Sequence, residues 1–116
     1  MPKPENQISF EDFEKVDIRV GRIVDAETYP EARRPAFKVW VDFGPEIGVL
    51  KTSAQITVHY TVEDLPGTLV GGVVNFPSKQ IGKFMSEFLL LGFPDKNGNV
   101  VLMQPNKEVP LGSRLF

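Results

Sequence analysis

Apolar and polar residues alternate over short stretches separated by Gly and Pro, a pattern that predicts many short strands. Phe37 to Phe43 alternates most cleanly: Phe37, Val39, Val41 and Phe43 face one way, Lys38, Trp40 and Asp42 the other. Asp17 to Tyr29 reads as a long first strand with Ile18, Val20, Val24 and Ala26 on one parity and Arg19, Asp25 and Glu27 on the other. Arg22 falls on the apolar parity beside Gly21, and a glycine inside a strand predicts a bulge or bend. Such a bend lets one strand pair at both ends of a small barrel. Arg22 then points out at the barrel rim, the alternative being a buried counter-ion. After a Gly44-Pro45 turn, Ile47 to Gln55 reads as the third strand, with Val49, Lys51, Ser53 and Gln55 on one face and Leu50, Thr52, Ala54 and Ile56 on the other. Leu69 to Phe76 and Phe84 to Phe93 read as the fourth and fifth, and Lys96-Asn97-Gly98 turns a further hairpin into Val100 to Met103.

Helical signals are brief. Residues 1–8, with two prolines, read as a flexible arm. Ser9 then starts a helix of one or two turns, with Asp12 completing a capping box and Ile8 placed to staple Phe13. Phe10, Phe13 and Val16 share one side of it, and a helix this short needs that side packed, either on its own barrel or at a subunit interface. Thr61 is placed to cap a one-turn helix, Val62 to Leu65, that Pro66-Gly67 ends. Five strands with a helix between the third and fourth are the order of an OB barrel. The predicted fold is therefore all-β: one domain over 1–116, a five-stranded Greek-key OB-fold barrel with short helices and an extra C-terminal hairpin. The exposed edge of that hairpin invites pairing, and a homodimer is one way to cover it.

Composition narrows the function. The 116 residues are 41% hydrophobic and 24% charged, ordinary for a soluble domain able to bury a core. There is no cysteine and one histidine, which excludes disulfides, thiolate metal sites and His clusters, so no cofactor or metal is expected and a cytoplasmic location fits. No signal-peptide core and no run of membrane-spanning length occurs. A formal charge of −2 argues against binding nucleic acid by bulk electrostatics, so RNA binding has to come from a local patch. Acids outnumber bases from Met1 to Glu46, whereas the charges between Gly67 and Pro94 are Lys79, Lys83 and Glu87. No glycine-rich phosphate loop, nucleophile elbow, HExxH or paired carboxylates appear, and a lone His59 beside Tyr60 reads as structural, so catalysis is not expected.

Candidate binding chemistry collects in the connection NFPSKQIGKFMSEFLLL, Asn75 to Leu91, where Asn75, Lys79, Lys83 and Ser86 offer polar groups between two strands. Lys51, Ser53 and Gln55 form a polar row on the third strand, suited to phosphate or peptide backbone. Arg33 and Arg34, in the loop PEARRP, can grip phosphates or simply be solvated. Trp40 on the polar face is a stacking platform for a base, a cover for an apolar peptide, or a residue packed under a helix or a second subunit. Phe10, Phe13, Phe84 and Met103 are the candidate dimer-interface residues, as apolar surplus to a five-stranded barrel.

The central connection, with VDIRVGRIVDAE at Val16 to Glu27, FKVWVDFG at Phe37 to Gly44 and KTSAQIT at Lys51 to Thr57, resembles CsaA-like members of the tRNA-binding-domain family. That domain is also appended to methionyl-tRNA synthetase and found inside the phenylalanyl-tRNA synthetase beta subunit. The resemblance implies a homodimeric barrel that binds tRNA by shape. It also implies a role in protein secretion, as a chaperone for unfolded export preproteins. Family members carry Ser-x-Gly-Met after the central turn, where this chain reads Ser86-Glu87-Phe88-Leu89, closer to the CsaA-like branch.

Overall fold

The computed structural model describes residues 6–116. Most of the expected arm, 1–8, therefore lies outside the described residues. Two short helices, α1 (Phe10–Glu14) and α2 (Gly44–Ile47), accompany nine strands: β1 (Ile18–Thr28), β2 (Phe37–Asp42), β3 (Val49–Ala54), β4 (Leu69–Val73), β5 (Lys79–Ile81), β6 (Phe84–Ser86), β7 (Leu89–Leu90), β8 (Gly92–Pro94) and β9 (Val100–Leu102). Five make one antiparallel sheet in the order β3-β2-β1-β4-β7; β5 and β6 form one hairpin and β8 and β9 another.

The sheet curls because β1 serves two partners. Its first half pairs β4 from Ile18↔Val73 to Arg22↔Leu69, and its second half pairs β2 from Arg22↔Asp42 to Thr28↔Phe37. Gly21 makes the bend possible: a Cβ there would lie 2.5 Å from Val41 Cγ1 and 2.9 Å from Phe43 Cδ1. The register slips between Ile23 and Asp25, so Val24 is a bulge residue, 48% exposed. This corrects the expected parity. Gly21 and Ile23, not Val24, face the core, because the bulge resets which residues point inward. Arg22 points outward, donating to the Gly67 carbonyl at 2.8 Å and pairing with Glu108 at 2.9 Å.

A seam between β3 and the β6–β7 junction nearly closes the barrel. The Glu87 N–H donates to the Lys51 carbonyl at 2.8 Å, and the Lys51 N–H to the Glu87 carboxylate at 3.1 Å. The Ser53 N–H donates to the Ser86 hydroxyl at 3.0 Å, and the Thr52 hydroxyl to the Phe88 carbonyl at 2.9 Å. Side chains thus complete what a regular ladder leaves open. Ile23, Val39, Val41, Phe43, Ile56, Leu65, Val70, Phe88 and Leu102 fill the interior, with Phe43 and Phe88 edge to face at 5.0 Å.

Three other expectations change. The helix expected at Val62 to Leu65 is a pair of turns: Asp64 N–H reaches the Thr61 carbonyl and hydroxyl at 3.2 and 3.3 Å, but Gly67 N–H is taken by Ile23 of β1 at 2.7 Å. With the Gly67 N–H committed to β1 it cannot close a further helical turn, and the complete burial of Leu65 sets the course of the segment. The Gly44-Pro45 turn is the start of α2, closed by Gly48 N–H on the Gly44 carbonyl at 2.7 Å, and β3 starts after it at Val49. The fifth strand from Phe84 to Phe93 divides into β6, β7 and β8, which pair with β5, β4 and β9 respectively. An apolar run states that residues are buried, not with which neighbour they pair.

Helix α1 carries the predicted capping box, Asp12 N–H on Ser9 Oγ at 3.0 Å and Ser9 N–H on Asp12 Oδ2 at 3.2 Å. No residue of it is buried, and Phe10 is 69% exposed. Polar contacts tether its C-terminal end: Arg114 donates to the Glu14 carbonyl at 2.6 Å and Asn75 to the Lys15 carbonyl at 2.8 Å. His59 Nε2 lies 2.7 Å from Asp95 Oδ2, and Leu102 N–H donates to the Tyr60 hydroxyl at 2.9 Å. Both contacts pin the β8–β9 hairpin to the turn before it. No helix among the described residues is long and apolar enough to cross a membrane.

Candidate nucleic-acid interface

The hairpin β5–β6 lies against the outer, polar face of β2 and β3. Its pairs are Lys79↔Ser86, Gln80↔Met85 and Ile81↔Phe84. Directly opposed residues share a face, so Lys79, Ile81, Phe84 and Ser86 form one side and Gln80 and Met85 the other. Phe84 is 9% exposed, with the Tyr29 ring at 5.8 Å and Trp40 edge-on at 6.0 Å. The Tyr29 hydroxyl donates to the Ile81 carbonyl at 2.6 Å, holding the hairpin from below. The turn passes close over that hydroxyl. Gly82 has φ +63°, and a Cβ on it would lie 2.6 Å from the Tyr29 oxygen.

Beside the hairpin runs a groove. One portion, about 340 Å³, lies between Arg33 and Arg34 of the 30–35 loop and Gln80 of β5; the next, about 530 Å³, lies between Phe76 and Lys79. Ser53, Gln55 and Ile81 line both portions, so the two adjoin. Among the described residues the ion pairs take Lys15, Arg19, Arg22, His59 and Arg114. Arg33, Arg34, Lys79 and Lys83 have no carboxylate within 4.0 Å among those residues. The cations that hold the fold are paired, and those around the groove are not.

The residues that stand out in the sequence divide accordingly. Arg33, Arg34, Ser53, Gln55, Lys79 and Ser86 line the groove, and Lys83 is exposed at the hairpin turn. Lys51 and Trp40 stand on the adjoining wall around Phe84. Asn75 is engaged elsewhere: its oxygen accepts the Asp17 N–H at 3.1 Å while its nitrogen holds α1. Of the residues expected at an interface, Phe10 is exposed and Phe13 half-buried, whereas Phe84 is packed within its own chain. Met103 is half-buried over Gly71, where a Cβ would collide with its methyl group. Sequence reasoning misses Tyr29 and Lys38. Lys38 shares the parity of Trp40, the one signal that points to it, and Tyr29 acts through a hairpin that the sequence pattern presents as a plain connection.

No group of three or more His, Asp or Glu able to hold a metal occurs among the described residues. Residues 18–114 match the family model described as a putative tRNA binding domain. The chain belongs to the tRNA-binding domain family. Within that family, the chain is 38% identical over 108 residues to a methionine–tRNA ligase of Thermococcus onnurineus, covering 93% of this chain and 14% of the ligase. The chain thus spans about one seventh of the length of that curated relative. Among solved structures, the chaperone CsaA of Bacillus anthracis superposes with a TM-score of 0.89 at 46% identity, over 95% of this chain and 99% of that one. The CsaA chaperone protein of Picrophilus torridus does so with a TM-score of 0.87 at 42% identity, over 95% and 100%.

Proposed function

We propose that this tRNA-binding domain is a non-catalytic, cytoplasmic homodimer that binds tRNA through the groove beside the β5–β6 hairpin. The observation carrying this reading is the set of unpaired cations, Arg33, Arg34, Lys79 and Lys83, around two adjoining clefts that share Ser53 and Gln55 in their lining. Guanidinium and ammonium groups without carboxylate partners are free to exchange counterions for phosphates, and hydroxyl and amide groups add hydrogen bonds that do not read sequence. A molecule with net charge −2 confines this attraction to the patch. With few phosphate contacts, the slope of log K against log salt should be shallow, roughly −3 to −4.

Lys79→Glu combined with Lys83→Glu tests the reading. Bulk tRNA, titrated against the fluorescence of Trp40 at low and physiological salt, should bind the native protein saturably and the double variant at least about tenfold more weakly. Unchanged binding by a folded double variant would remove the groove from the account.

A second reading is a chaperone for unfolded export preproteins. It draws on the two solved neighbours, both described as chaperones, and on Phe76 and Met85, which are 53% and 40% exposed beside the groove. An unfolded polypeptide that binds with little salt dependence while tRNA is inert would favour it.

A further inference from the structure

The wall next to the groove carries a cluster that the groove itself does not use. Trp40 of β2 and Lys51 of β3 are opposed in the ladder, and Lys38 lies two residues away on the same face of β2. Phe84 comes down between them from β6. The Lys38 ammonium is 5.3 Å from the centre of the Phe84 ring and 4.8 Å from that of Tyr29, and the Lys51 ammonium is 5.0 Å from the Phe84 centre. Two cations from two strands thus converge on one ring supplied by a third element.

Neither cation is neutralised. Glu27 stands opposite Lys38 in the ladder, yet no carboxylate among the described residues lies within 4.0 Å of either ammonium. Glu87, the carboxylate at the seam, accepts the Lys51 backbone N–H at 3.1 Å. The ring quadrupole draws each ammonium toward Phe84. An anion bound beside them supplies the countercharge that both lack.

We propose that Lys38 and Lys51, positioned by Phe84, form an anion site for a phosphodiester group of bound RNA, extending its path from the groove onto the outer wall. The inference rests on the RNA reading of the groove. Proximity supports a nucleic-acid backbone as the source of the anion: Ser53, which lines the groove, and Lys51, at the cluster, share one face of β3, and Gln55 of the groove lining follows just past its end. Lys51 and Ser53 are separated by about 6.7 Å along the strand.

Lys38→Met and Lys51→Met keep an apolar side chain against the ring and remove the charge, with Lys38→Gln and Lys51→Gln as a second pair should the Met variants unfold. Lys107→Met serves as control. The tRNA salt slope should become shallower by about 0.7–0.9 for each Lys removed, with the melting temperature and the control unchanged and Lys38→Arg restoring the native slope. Inorganic pyrophosphate should shift the Lys38, Lys51 and Phe84 amide resonances of the native protein and not those of the double variant. If tRNA binds with an unaltered slope in both variants and pyrophosphate moves none of these resonances, the site is overturned while the groove reading stands. If tRNA is inert although pyrophosphate titrates the pair, the RNA reading falls and the phosphodiester assignment with it.

Discussion

Gly82 shows how one position decides where the β5–β6 hairpin sits. Its φ of +63° is a conformation that a side chain strains, and the space a Cβ would need is occupied by the Tyr29 hydroxyl. Gly98, at the tip of the β8–β9 hairpin, has φ +84° but nothing within 4 Å of the position a Cβ would take, so it isolates the backbone cost from the clash. Gly98→Ala should lower stability by about 1–2 kcal/mol, and Gly82→Ala by more, as compared by urea denaturation. A smaller loss at Gly82 would mean that the hairpin lifts freely off Tyr29. Parity puts Lys51 and Ser53 on one face of β3 because alternation depends only on local pleating. It cannot place Asn75, whose partners, Lys15 and Asp17, are about 60 residues away in the chain.

Among the elements, the β8–β9 hairpin has its own acid dependence. Asp95 caps its turn, accepting the Asn97 and Asn99 N–H groups at 2.8 and 2.9 Å, and meets His59. The hydrogen bond with His59, followed by those from Asn99 and Asn97, holds its carboxyl below the ordinary 3.8. A depressed carboxyl stabilises the folded form above its unfolded value and loses that contribution as pH falls through the folded one. The hairpin amides should therefore keep their protection from exchange down to about pH 4 and lose it below 3.8, whereas Asp95→Asn removes the response in that window. Protection that is flat from about pH 5 to about pH 2 would refute this. The hairpin and the capping box of α1 are legible in the sequence because Ser9, Asp12 and Gly98 act within a few residues of themselves. The division of Phe84 to Phe93 into three strands is not, since each piece takes a different, distant partner.

At the scale of the molecule, α1 leaves apolar surface uncovered. Phe10, Leu115 and Phe116 are 69%, 41% and 104% exposed. A separate cleft of about 400 Å³ near the C-terminus includes Met103, Val109, Leu115 and Phe116. Exposed apolar residues of this kind are what the proposed homodimer would cover. If the proposed homodimer uses them, Phe10→Glu with Phe116→Glu should halve the mass seen in sedimentation equilibrium and leave circular dichroism unchanged. A monomeric native protein would overturn the dimer without touching the groove.

By itself the sequence determined the strand-rich character of the chain, the bend at Gly21, the inward row of β2, the polar row of β3 and the family resemblance. All of these follow from local geometry or from motifs read in order. Tertiary structure alone decided the rest: the bulge at Val24, the seam joining Lys51 and Ser53 to Glu87 and Ser86, and the meeting of Lys38, Lys51 and Trp40 on Phe84. These depend on which strand lies beside which and in what register. Alternating polarity says which residues turn inward, but pairing energies between distant segments choose the neighbours they meet.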